Sequence, residues 1–261
     1  MKERVISAVV LITFVVACFA ISTATRILFL LAVIILAVRE MCNAIKNKEI
    51  TCAPWVLYVY GAAALACIYF GADEIISQAL FFLAIFAIVS AGVIKKDIRG
   101  PGALMTLAIL VYPIVPMLII SKLAIQDYWI PVFAMGCITT WVCDSFALFG
   151  GKRFGKNKLA PEVSPNKTIE GSICGAISAI VAGAIISIFI DVPLLCCMIT
   201  ALIASTMGQM GDLAASLIKR WTGIKDYSNL IPGHGGAMDR IDSLLFAIPC
   251  TYFCFMIAGV I

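Results

Sequence analysis

Residues Gly208–Ser243 read GQMGDLAASLIKRWTGIKDYSNLIPGHGGAMDRIDS. The stretch starts inside one apolar run, Val192–Ile218, and ends inside the next, Ile241–Ile261. It holds the chain's only histidine and Asp212, Lys219, Arg220, Lys225, Asp226, Asp239, Arg240 and Asp242. The flanking runs decide the fold, because both are long enough to cross a bilayer as helices. The charges between them imply a metal-dependent phosphate-handling site at a membrane surface.

The rest of the chain repeats the pattern. Of 261 residues, 62% are hydrophobic and 13% charged, with a mean hydropathy of +1.07. A soluble domain carries roughly a quarter charged residues. Apolar runs recur at 5–21, 27–38 (extended to 45 through a polar end), 54–70, 75–94, 103–120, 129–149, 169–190, 192–218 and 241–261. Such runs approach the ~20 residues that span a hydrocarbon core. They predict an all-α polytopic integral membrane protein with about nine transmembrane helices and no separate soluble domain. The first run is read as a span, although VVAC at Val15–Cys18 resembles a lipoprotein cleavage box. Residues 1–125 are expected to form N-terminal transmembrane helices. Residues 126–261 are expected to form a C-terminal catalytic region with loops 150–168 and 219–240.

With nine spans, every basic residue except Arg26 and Lys122 falls in the N-terminus or in the loops after even-numbered spans. Lys and Arg accumulate on the cytoplasmic side, so the N-terminus and both catalytic loops are expected there, in the cytoplasmic (inner) membrane. The net charge of +4 is spread over short loops, which excludes a nucleic-acid surface. The eleven cysteines form no disulfide or zinc pattern and mostly lie in apolar runs, where Cys acts as a small hydrophobe.

Four groups of residues can do chemistry. In a helix over 192–220, Asp212, Ser216, Lys219 and Arg220 fall on one face, at i, i+4, i+7 and i+8. An acid, a hydroxyl and two cations in one stripe suit a metal with its phosphate ligands; a structural ion network at a helix end is the plainer alternative. Asp239 and Asp242 open the last span at i and i+3, where acids also answer the helix dipole. Between them and Asp212 lies PGHGG, Pro232–Gly236, whose backbone N–H groups can turn onto phosphate around His234. Asp144 sits inside the sixth span, and a carboxylate there needs a partner. In the following loop Ser164, Asn166, Lys167 and Thr168 bring donors and a cation that suit phosphate oxygens.

Ser216–Asp242, SLIKRWTGIKDYSNLIPGHGGAMDRID, resembles the signature of the CDP-diacylglycerol synthases, or phosphatidate cytidylyltransferases, of the bacterial type. Ser216, Lys219, Arg220, Lys225, Asp226, Ser228, Pro232, His234, Gly235, Gly236, Asp239, Arg240 and Asp242 fit its spacing. The likeness extends to Gly211–Leu213 and to Asp144–Gly171, and so covers the C-terminal half. Ala215 replaces an expected Glu, Asn166 an expected Lys, Leu148 a common Tyr, and Ala237 a larger aliphatic residue.

The resemblance implies a nucleotidyltransferase that converts CTP and phosphatidate to CDP-diacylglycerol and pyrophosphate in phospholipid biosynthesis. It implies Mg²⁺, a second cation such as K⁺, and a homodimer in the membrane. Asp212 and Asp239 are then metal ligands, with Asp144 a third ligand or a nucleotide contact. Lys219, Arg220, Lys225, Asp226 and His234 are the catalytic candidates. Ser164, Asn166, Lys167, Ser216, Arg240 and Asp242 are the substrate-binding ones. An ion-coupled transporter is the alternative, but its acids would cluster nearer the bilayer midplane. The paired-Asp motif of CDP-alcohol phosphotransferases is missing.

Overall fold

A computed structural model describes residues 2–230 and 235–261 of the chain. His234 and Pro232 therefore lie outside the described residues. In order, the elements are α1 (Lys2–Ile21), α2 (Thr23–Lys46), α3 (Pro54–Phe70), α4 (Glu74–Ile94) and α5 (Arg99–Ile109). A π-helical turn at Leu110–Ile114 leads into α6 (Val115–Ala124), and α7 (Trp129–Phe154) follows. Two strands, β1 (Lys158–Ala160) and β2 (Ser164–Thr168), precede α8 (Ile169–Ile186) and α9 (Leu194–Thr222). The short α10 (Met238–Ile241) and then α11 (Leu244–Ile257) close the chain.

Each expected apolar run falls on a helix, because a chain in lipid must satisfy its backbone within itself. Among the described residues, seven segments are long and apolar enough to cross a membrane, and α3 is a shorter apolar helix. The protein is an all-α polytopic membrane protein. Its helices are apolar well beyond what they bury. α4 buries only Ala84, Ile88 and Ala91, while Phe82, Phe86, Val93 and Ile94 on the same helix are exposed. In water that surface would be a liability; in a bilayer it is solvated by lipid.

The chain divides into two compact units, Met1–Ile125 with Trp221–Arg240, and Gln126–Arg220 with Ile241–Ile261. Local chemistry sets the boundaries within the first. Ser22 opens α2 with a capping box: its hydroxyl accepts from the Thr25 N–H and the Thr25 hydroxyl accepts from the Ser22 N–H. Arg26, one of the two basic residues on the far side by the charge count, donates to the Phe19 carbonyl at 2.7 Å and to the Ala124 carbonyl at 2.9 Å. It thus satisfies orphan carbonyls where α1 and α6 end. Pro113 has no N–H to give, and the ladder widens around it into the π turn.

In the second unit α7 and α8 pack closely through small residues. A Cβ on Gly171 would stand 2.6 Å from the Ala147 carbonyl oxygen, and one on Gly175 would stand 2.7 Å from that of Cys143. Only glycine lets the two backbones approach so nearly. The loop expected over 150–168 is more ordered than its Gly, Pro and Lys content suggests. α7 continues to Phe154, and β1 and β2 pair antiparallel, Lys158 opposite Thr168 and Ala160 opposite Ser164. Glu170, in the first turn of α8, pins this hairpin by accepting from the Lys156 and Asn157 N–H groups and from the Asn157 side chain.

Candidate active site

α9 carries the stripe read from the sequence. The Ser216 hydroxyl donates to Asp212 Oδ1 at 3.4 Å, one turn apart on the same face. Lys219 and Ser216 are buried, Asp212 is half-buried and Arg220 is exposed. The Arg220 Nε–H donates to the Val163 carbonyl at 3.3 Å, which ties the end of α9 to the tip of the hairpin.

β2 brings Lys167 to the same place. Its Nζ lies 2.5 Å from Asp212 Oδ2, and the two side chains are 26% and 30% exposed. The stem is open while the ammonium head is buried and, among the described residues, makes no other polar contact than this ion pair. Asp144 is within electrostatic reach of both Lys167 and Asp212. Asp242 is within reach of Asp212 and Lys219. Asp212 is thus the acid that Asp144, Lys167 and Asp242 share as a charged neighbour within this unit. Ser164 and Asn166 lie on β2 beside Lys167, Ser164 half-buried and Asn166 exposed.

Asp242 is not part of a continuous last helix. A turn at Asp242 and Ser243 separates α10 from α11, and the Ser243 N–H donates to Asp242 Oδ1 at 2.7 Å. At this turn the backbone passes close to α9, and a Cβ on Gly211 would meet the Asp242 carbonyl oxygen at 2.5 Å. Gln209, which sequence reasoning passed over, is buried one turn before Asp212. Its side-chain oxygen accepts from the Ser172 hydroxyl at 2.6 Å, and its Nε2 contacts Cys143 Sγ at 3.2 Å. That links α8 and α7 to α9 next to Asp144 and Asp212.

The remaining candidates belong to the first unit. Lys225, Asp226 and Arg240 are exposed and Asp239 is buried. Asp239 Oδ2 accepts from the Tyr227 N–H at 2.9 Å and from the Gly236 N–H at 3.0 Å. Gly235 makes this possible with φ of +82°, a conformation that a side chain there would oppose. Glu40 of α2, also passed over by sequence reasoning, is 4% exposed and accepts from Ser228, Ala237 and Met238. The only signal for it was an acid near the end of an apolar run.

Among the described residues, no three His, Cys, Asp or Glu side chains gather into a ready metal cage. Asp144 and Asp212 nevertheless suit Mg²⁺. That ion binds through one or two carboxylates and fills its shell with water and substrate phosphates, not with an all-protein cage. A buried lysine head paired with Asp212, within electrostatic reach of Asp144, marks the same demand for positive charge.

Comparisons with known proteins place the chain in a family. The sequence profile described as "Cytidylyltransferase family" matches residues 2–258. A phosphatidate cytidylyltransferase of Thermotoga maritima is 32% identical over 98% of this chain and 97% of its own. One of Bacillus subtilis is 41% identical, with 49% of each chain covered, and one of Haemophilus influenzae is 45% identical over 46% of this chain and 44% of its own. In those last two the matched stretch spans less than half of the relative. With a profile match from end to end and a full-length relative, the chain belongs to the cytidylyltransferase family.

Proposed function

We propose that this protein is a phosphatidate cytidylyltransferase, joining CTP and phosphatidate into CDP-diacylglycerol and pyrophosphate within the membrane. The observation that carries this reading is the coupled cluster of Asp144, Lys167, Asp212, Lys219 and Asp242, at the hairpin end of α7 and α9. The names of the relatives support it.

A phosphate oxygen of phosphatidate attacks the α-phosphorus of CTP. A new P–O bond forms, the bond to the β-phosphoryl bridging oxygen breaks, and pyrophosphate leaves with that electron pair. A phosphomonoester has a second pKa near 6, so phosphatidate is largely a dianion at neutral pH and needs no strong base. The obstacle is bringing two polyanions together in line, which positioning and positive charge overcome. Lys167 and Lys219 have buried stems or heads that fix their charge, and Arg220 extends from the same helix into the open. These three are assigned to the phosphates, with Ser164, Asn166 and Ser216 as hydroxyl and amide donors. On the other unit Lys225 and Arg240 take the same role, and Asp226 balances them. His234 orients a phosphate or carries a proton.

Asp212 would hold Mg²⁺, with Asp144 in the same unit as a third ligand or a nucleotide contact, and Asp239 is assigned as a metal ligand on the family likeness alone. The ion, when bound, neutralises charge that develops on the pyrophosphate leaving group. The K⁺ and the homodimer implied by the family likeness belong to the same reading, as does the cytoplasmic placement of the N-terminus and both loops.

The test uses purified protein in detergent with phosphatidate, Mg²⁺ and CTP labelled at either the α- or the γ-phosphate. The α-label must pass into a chloroform-soluble product and the γ-label must leave as pyrophosphate. Retention of both labels in water-soluble CTP overturns the reading.

A further inference from the structure

Glu40 has no place in the chemistry described so far. It lies near the end of α2, in a helix long and apolar enough to span the membrane, and it is buried. A carboxyl group in such a setting is costly unless donors satisfy it. Its donors come from residues almost two hundred positions away in sequence. The Ser228 hydroxyl and the Ala237 N–H reach Oε1 at 2.6 and 3.0 Å, and the Met238 N–H reaches Oε2 at 2.8 Å. The approach leaves no slack, because a Cβ on Gly236 would stand 2.5 Å from Oε1. Asp239 then ties the same turn to Tyr227 from within. Lys225 and Arg240 are exposed just outside the two points that these bonds fix.

We infer that Glu40 is a positioning residue for nucleotidyl transfer. By holding Ser228 and the Ala237–Met238 turn on α2, it fixes where Lys225 and Arg240 present their charges to phosphate. The inference rests on the cytidylyltransferase reading. A helix of the N-terminal half, outside the likeness that the signature carries, thereby positions the signature's Ser228 and Ala237–Met238.

The test compares Glu40→Ala, Glu40→Gln and Glu40→Asp in the purified full-length protein. Loss of a positioning contact lowers kcat more than it raises KM, and a displacement of about 1 Å can lower turnover by roughly a hundredfold. Glu40→Ala is expected to lower kcat at least tenfold, with the CTP KM changed far less. Glu40→Gln keeps one carbonyl oxygen for two of the three donors and is expected to lie between it and the parent. A Cys at Asn229, which is exposed, gives a second readout, because all eleven native cysteines are buried or half-buried. Its maleimide labelling should quicken in Glu40→Ala. If Glu40→Ala does not fold, the kcat-against-KM split in Glu40→Gln decides. Turnover per folded molecule within twofold of the parent in every folded variant overturns the inference. An inactive parent removes the cytidylyltransferase reading instead; in that case unchanged labelling at position 229 would remove the tie as well, and faster labelling would keep it as the structural anchor of that turn.

Discussion

Lys167 on β2 and Asp212 on α9 form an ion pair at 2.5 Å, with the lysine head buried and both stems part-exposed. Water reaches the part-exposed side chains around the buried head and screens the pair, which contributes about 1 kcal/mol to stability. Its position beside Asp144 and Lys219 gives it value for phosphate binding instead. Lys167→Ala is therefore expected to leave thermal stability nearly unchanged while raising the KM for CTP tenfold or more. Steady-state kinetics beside a melting curve checks this. A stability loss well beyond 1 kcal/mol with unchanged KM would return the pair to a purely structural role.

Asp239 separates charge from scaffold. Two N–H donors among the described residues, those of Tyr227 and Gly236, reach one oxygen, Oδ2, and an asparagine carbonyl can accept from both. Asp239→Asn should fold like the parent but lose most activity if the charge serves a cation. Asp239→Ala should lose activity and also about 1–3 kcal/mol for two buried donors left unmet. Equal melting points in the two variants would contradict the bonding described for Tyr227 and Gly236.

Gln209 should behave differently from the charged residues. Gln209→Leu removes the acceptor of the Ser172 hydroxyl and the contact with Cys143 in a buried site. The expected loss is about 1 kcal/mol of stability, read as lower detergent tolerance, because the half-buried Ser172 hydroxyl loses its acceptor. Activity should fall too, through the placing of α7 against α9.

The sidedness of the loops can be read chemically. Lys96→Cys and Lys156→Cys should react with an impermeant thiol reagent only from the cytoplasmic side, and Asp73→Cys only from the other. Labelling of positions 73 and 96 from one side would break the assigned order of spans.

Much of this was legible in the sequence because lipid leaves the backbone few options. Apolar runs had to be helices, and the 3.6-residue period placed Ser216 over Asp212. What stayed hidden was long-range pairing. Lys167 meets Asp212 only because β1 and β2 fold back, and a stretch rich in Lys, Pro and Asn reads as loop before its ladder is seen. Glu40 read as the polar end of a span, since nothing local shows that its donors lie at Ser228, Ala237 and Met238. The turn after α10 was hidden for a like reason, since nothing local shows that Asp242 passes close to Gly211 of α9.

The central claim is that Asp212 anchors the charge balance for transfer to phosphatidate. Transfer of α-labelled CTP into chloroform-soluble product, titrated with Mg²⁺ in the parent and in Asp212→Asn, tests it most directly. Asparagine keeps the size and the Ser216 bond but removes the charge that Lys167 and a cation share. The account predicts saturable Mg²⁺ dependence in the parent, no product with a chelator, and a loss of roughly a hundredfold or more in a well-folded Asp212→Asn. Near-parental transfer by Asp212→Asn at ordinary Mg²⁺ would contradict it.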